Sequence, residues 1–400
     1  MKGESKMFKY KESDILIIIS ALKKIIAIFL GPFLTVYFIK ISTESLIALS
    51  LYNVMNYIFL GLGGIIIGWI VRNKFQVGMF RVGVIINFIY VLFIIILKEK
   101  ILNYLPLISF LYGFSSIAYY YPYNLFVASK VNNIERTNYE FKKQTISTLT
   151  AILTPIIIGG IITTTNFQLT AIIILFASII QIILSFFVSP IQDKNYKFTP
   201  LSSLKYFLRN NDVKNMFISD YFKGMTVSEG VLEVVLTILV FSAFKTDLNL
   251  GILSTISSIL VIAIQYLYTK KLKNKRNKFV IILCSIIPTL SLLLLLIFTN
   301  NITLIVYYLC YGTFVNLLSF ISSVRLFNIS NSMEIKTEHN IEFWSIREII
   351  LNVGRISGYL LLLLITKINK FNYLYYLMVL LTLSIPLMAY FFSKIRNYDN

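Results

Sequence analysis

Twelve apolar runs, each about as long as a lipid bilayer is thick, fill nearly the whole of this 400-residue chain. A helix needs roughly 20 apolar residues to cross the hydrocarbon core, because each residue advances it by only about 1.5 Å. The runs fall at about 14–39, 44–71, 78–97, 103–129, 144–165, 168–189, 213–243, 249–269, 279–298, 302–326, 344–366 and 372–393. Runs of this length enter lipid as helices, which satisfy their own backbone hydrogen bonds. The chain therefore reads as an all-α integral membrane protein with 12 transmembrane helices. Charged residues are 14% of the sequence, against roughly 25% in soluble domains, and no polar stretch is long enough for a separate catalytic domain. The first run is too long for a signal-peptide core and lacks a small-residue cleavage site, so it is expected to be a retained helix.

The basic residues set the orientation. Of 37 Lys and Arg, only six (Lys40, Lys98, Lys100, Lys245, Lys367 and Lys370) fall in the loops of one side. Most of the others stand in the termini and in the loops of the opposite side, which places both termini in the cytoplasm. The formal net charge of +19 then lies beside anionic lipid headgroups, and a nucleic-acid partner is not expected. The basic cluster at 270–278 serves on this reading as a topology anchor. Abundant Ile, Asn and Lys match an AT-rich bacterial genome, and the expected location is the plasma membrane.

The longest polar stretch between spans divides the chain into an N-terminal six-helix bundle (1–189), a cytoplasmic central loop (190–212) and a C-terminal six-helix bundle (213–400). Within the loop, 202–209 has the pattern of a short surface helix. The halves echo each other. NYEF at 138–141 returns as NIEF at 340–343, Leu125-Phe126 returns as Leu326-Phe327, and Lys23 returns as Lys223, at offsets of 202, 201 and 200. Three matches near one offset, each in the same topological place, indicate duplication.

With this 6+6 layout, its central loop and its internal echo, the chain resembles the major facilitator superfamily over about residues 10–395. Gly64 and Gly68 on span 2, followed by Arg72 and Lys74, resemble that family's motif in loop 2–3, but Arg72 stands where an acidic residue is expected. The usual charge lock between the halves is thus left without its acid. The resemblance implies alternating access about a mid-membrane site, with helices 1, 4, 7 and 10 lining it and 2, 5, 8 and 11 flanking it.

Ionisable side chains near the bilayer centre cost a few kcal/mol or more unless paired or hydrated. Span 7 carries Asp220 and Lys223, three apart and read as a structural charge pair. It also carries Glu229 and Glu233, four apart and hence on one face of a continuous helix. Neighbouring carboxylates in a low-dielectric site repel, which favours the protonated form of one of them and suits proton coupling. The alternative for that pair is a salt bridge to Lys23 or Lys24. Those two lysines lie near mid-depth of span 1 and differ by about 100° around the helix, so only one can face a central cavity. Span 11 adds Arg347, Glu348 and the deeper Arg355. Spans 4 and 10 are rich in tyrosine; Tyr120, Tyr123, Tyr308 and Tyr311 are candidate ligand contacts, a tyrosine ring suiting amphipathic or cationic compounds.

No glycine-rich phosphate loop is present, the single histidine (His339) lies in a loop, and the two cysteines (Cys284 and Cys310) lack metal spacing. No cofactor, metal or enzymatic activity is expected. These readings converge on a monomeric, proton-coupled secondary transporter that exports an amphipathic small molecule in preference to importing one. A lipid-linked oligosaccharide flippase would call for a strongly cationic lumen. A non-transporting sensor or immunity protein is the other alternative.

Overall fold

The structure is a computed structural model that describes residues 4–41, 45–72, 75–130, 133–190, 198–227, 230–272, 277–330, 339–366 and 373–395. Among them, eleven segments are long and apolar enough to span a membrane. One of these, Gln76–Val127, is 52 residues long and folds back on itself at a 3-10 helix, Lys98–Tyr104, so the crossings number twelve.

Span 1 consists of α1 (Glu4–Ile28), a π-helical turn (Phe29–Phe33) and α2 (Leu34–Ile41). Spans 2 to 6 are α3 (Ser45–Arg72), α4 (Gln76–Leu97), α5 (Leu105–Lys130), α6 (Asn133–Thr164) and α7 (Phe167–Ser185). A short amphipathic helix, α8 (Pro200–Arg209), follows between the halves, burying Ser203 and Phe207 and exposing Leu201 and Leu208. Span 7 is split into α9 (Asn211–Thr226) and α10 (Val231–Phe244). Spans 8 to 11 are α11 (Asp247–Leu267), α12 (Asn277–Ile297), α13 (Asn301–Ser330) and α14 (Asn340–Thr366), and span 12 is α15 (Tyr373–Thr382) with α16 (Ser384–Ser393). An even number of crossings puts both termini on one face, here called the terminal face.

The outside of the bundle is apolar, with Leu62, Ile66, Trp69, Ile180 and Ile183 all exposed, as lipid contact permits. Polar residues turn inward. The halves meet along two seams, α3 against α14 and α6 against α11. Small residues make both seams close. A Cβ on Gly64 would lie 3.7 Å from the Ser345 carbonyl oxygen, and one on Gly61 would touch Asn352. At the other seam a Cβ on Gly159 would sit 2.6 Å from the Asp247 carbonyl oxygen, and one on Gly251 would sit 2.5 Å from that of Pro155. Backbones that approach this closely gain dispersion contacts that lipid tails cannot supply.

Candidate functional site

Span 7 is interrupted inside the membrane. α9 ends at Thr226, Val227 is extended (φ −127°, ψ 167°), and α10 restarts after Gly230. A side chain on Gly230 would press on the backbone of Met225 and Thr226. The Tyr311 hydroxyl of span 10 donates to the Thr226 carbonyl, one of the acceptors released where α9 ends. Span 1 is irregular at the corresponding place: its π-helical turn Phe29–Phe33 contains Pro32, about 200 positions before the break. Proline removes a backbone donor and opens the helix there.

Between these two irregular spans lies a cavity of about 510 Å³, well within the range of small-molecule sites. Both halves line it. Lys24, Tyr52, Tyr57, Tyr112 and Thr148 come from the first, and Glu233, Thr237, Ser258, Tyr308, Tyr311 and Tyr359 from the second. Lys24 and Glu233 are its charged residues among those described.

Each end of the inter-half contact carries an ion pair. On the terminal face Arg72 Nη2, at the end of span 2, is 3.1 Å from Glu342 Oε2, at the start of span 11. Both side chains are buried, and Glu342 Oε1 also accepts from the Thr199 backbone N–H beside α8 (3.1 Å). The Tyr121 hydroxyl crosses the same seam, donating to the Ile341 carbonyl at 2.7 Å and lying 2.8 Å from Ser345 Oγ. On the opposite face Lys40 Nζ, at the end of span 1, is 2.5 Å from Asp247 Oδ2, at the start of span 8. An inter-half ion pair therefore forms at the end of span 2, where Arg72 supplies the base and Glu342 of NIEF supplies the acid.

The structure separates the two adjacent lysines. Lys24 lines the cavity and donates to Ser147 Oγ at 2.8 Å. Lys23 is buried inside the first bundle, where its Nζ donates to Asn87 Oδ1 at 2.9 Å and lies 5.5 Å from the centre of the Tyr119 ring. Glu233 lines the cavity, but it begins a new helix. α9 ends at Thr226, before either glutamate, and Glu233 stands in the first turn of α10; Glu229, the other member of the expected pair, lies outside the described residues.

The Asp220–Lys223 charge pair is not formed. Asp220 Oδ2 instead accepts from Arg347 Nε at 2.9 Å, since a guanidinium reaching in from α14 meets the carboxylate more directly than a lysine on the same helix. Lys223 Nζ stands 3.5 Å from the Ser319 carbonyl and from Ser323 Oγ. Arg347 Nη1 also takes Glu348, at 3.1 Å.

Arg355 is buried one layer behind the cavity wall. Its Nη1 donates to Asn352 Oδ1, and its guanidinium lies 4.9 Å from the centre of the Tyr57 ring. Of the four tyrosines singled out from the sequence, Tyr308 and Tyr311 line the cavity. Tyr120 is exposed but not part of the cavity lining, and Tyr123 is buried in the first bundle with its hydroxyl 3.2 Å from that of Tyr139. Tyr52, Tyr57 and Tyr359, from spans 2 and 11, stand in the wall instead. Nothing in their apolar surroundings marks them in the sequence. The flanking spans 2, 5, 8 and 11 thus share the wall with spans 1, 4, 7 and 10, which supply the larger part of it.

No family model matches the chain. The uncharacterized protein YqgE of Bacillus subtilis is 24% identical over 376 residues, which make up 92% of this chain and 85% of the relative. Among solved structures, a point mutant of the nucleoside transporter NupG superposes with a TM-score of 0.72 at 13% identity, covering 96% of this chain and all of that one. The human organic anion transporter MFSD10 gives 0.64 at 12% identity, covering 96% and 99%. A bacterial metal transporter gives 0.62 at 13% identity, covering 97% and 98%. The architecture these comparisons share with the chain is the major-facilitator fold, two six-helix bundles around a central cavity.

Proposed function

We propose that this protein is a secondary transporter that moves a small molecule across the membrane by alternating access. One observation carries the reading: a cavity lined by both halves lies between two inter-half ion pairs, Arg72–Glu342 on the terminal face and Lys40–Asp247 on the other. Rocking the halves about the cavity parts one pair while the other holds, so only one entrance opens at a time. The broken span 7 and the π-turn of span 1 give the cavity-lining helices the freedom to bend that this motion needs.

Glu233 is the group we assign to proton coupling, together with Glu229, which precedes it by four positions in the sequence. A carboxyl group exposed to a mid-membrane cavity can load a proton from one face and release it to the other. We assign export of an amphipathic compound as the physiological direction, on the tyrosine-rich wall and the acidic residue of span 7. Among the described residues, one lysine and one glutamate line the cavity, which does not make the strongly cationic lumen of an oligosaccharide flippase. The wall suits a small soluble compound better.

The test compares metabolites inside and outside cells with and without the protein, with Glu233→Gln as the control. A compound depleted inside and enriched outside only with the intact protein establishes an exporter. The reverse distribution makes it an importer, and no change in any soluble compound defeats the transport reading.

A further inference from the structure

The geometry points to Lys24 as the recognition point for a negatively charged group, so that the cavity selects small organic anions with an apolar or aromatic body. This inference rests on the transport reading of the cavity and adds the charge class of what enters it.

An ammonium group has three donors, and its partner here is the neutral hydroxyl of Ser147. Among the described residues no carboxylate pairs with Lys24. A charge held within a membrane bundle on a single hydroxyl keeps most of its desolvation cost, which an anion delivered to the cavity would offset. In the state of the coupling cycle in which Glu233 carries its proton, the ionisable lining among the described residues sums to one positive charge, which an organic monoanion neutralises.

The apolar body follows from how the tyrosines are held. Tyr52 pairs its hydroxyl with Tyr90 at 2.6 Å, Tyr308 pairs with Ser254 at 3.1 Å, and Tyr311 donates to the Thr226 carbonyl. Their polar ends serve the protein's own framework, leaving ring surface for a ligand. A cavity of about 510 Å³ accommodates a compound of one or two rings.

The test uses three probes with one body: 3-phenylpropionate, 3-phenylpropylamine and 3-phenylpropanol. Binding of each is measured by calorimetry to the full-length protein in lipid nanodiscs. The carboxylate is expected to bind at least about tenfold more tightly than the alcohol or the amine, one charge-assisted hydrogen bond being worth that much. Lys24→Gln should erase this preference, and Lys24→Arg should keep it. Lys23→Gln, which changes the buried neighbour, should leave it intact in whatever fraction folds.

Equal or better binding of the amine or alcohol overturns the proposal. So does a preference that survives Lys24→Gln, or an absence of binding by all three probes. The transport reading is tested separately by cavity accessibility without any ligand. Alternation without carboxylate preference defeats only the charge assignment, and preference without alternation defeats only transport.

Discussion

Arg72 and Glu342 join the two halves of the protein across the terminal face, with Nη2 3.1 Å from Oε2 and both side chains buried. They lie 270 positions apart in the sequence, and the same carboxylate also accepts the Thr199 backbone N–H. One acidic side chain therefore ties span 2, span 11 and the connection between the halves.

Removing either partner leaves the other charge buried without its counterion. Arg72→Ala and Glu342→Ala are each expected to destabilise the protein by about 3–5 kcal/mol. The charge swap Arg72→Glu with Glu342→Arg should recover part of that loss, less the bond from Thr199. Denaturant unfolding of the purified variants measures this. Single variants as stable as the parent would show that the pair is incidental.

The lock on the opposite face is weaker. Lys40 is 42% exposed and Asp247 is 8% exposed, so solvent screens the pair from one side. Lys40→Ala should shift stability by about 1 kcal/mol or less. A loss comparable to that of Arg72→Ala, measured in the same unfolding assay, would refute this ranking.

The seam between spans 5 and 8 offers a matched pair of neighbours. A Cβ on Gly159 would come within 2.6 Å of the Asp247 carbonyl oxygen, whereas one on Gly160 meets nothing within 4 Å. Gly159→Ala should destabilise by about 1–3 kcal/mol by forcing the helices apart. Gly160→Ala should be neutral or stabilising by up to about 1 kcal/mol, because alanine favours a helix over glycine. Melting curves of the two variants should separate in that order; the reverse order would contradict the close approach of α6 to α11.

Glu233→Gln fixes the side chain in a neutral form at every pH. If Glu233 carries the coupled proton, transport in this variant loses its dependence on an imposed proton gradient while the cavity still binds ligand. Uptake or efflux in proteoliposomes, measured with and without a gradient, decides the matter. Normal gradient dependence in both Glu229→Gln and Glu233→Gln would remove these residues from the coupling role.

The twelve spans were legible because hydropathy alone specifies them, and the 6+6 architecture followed from the internal echo and the loop lengths. Lys24, Glu233, Tyr308 and Tyr311 were legible as charges and tyrosines on the expected helices, and each lines the cavity. The interruption of span 7 was not. No proline marks the place, and the end of α9 at Thr226 is visible only in the folded backbone. Span 7 is thus not the continuous helix that the spacing of its charges presumed, and Glu233 stands in the first turn of α10. Partner choice failed for a similar reason at Asp220, where proximity along one helix lost to Arg347 from another. The NIEF element was visible as a repeat, yet its function as the acid of an inter-half ion pair depends on contact with Arg72, which sequence spacing cannot encode.

The most direct measurement places one cysteine in the cavity, Ser258→Cys, in a protein whose Cys284 and Cys310 are replaced by serine. A membrane-impermeant maleimide is applied from each face in vesicles of known orientation. Alternating access predicts that Arg72→Ala raises labelling from the terminal face and lowers it from the other, and that Lys40→Ala does the opposite. Labelling that rises from the same face in both variants, or changes in neither, would contradict the account.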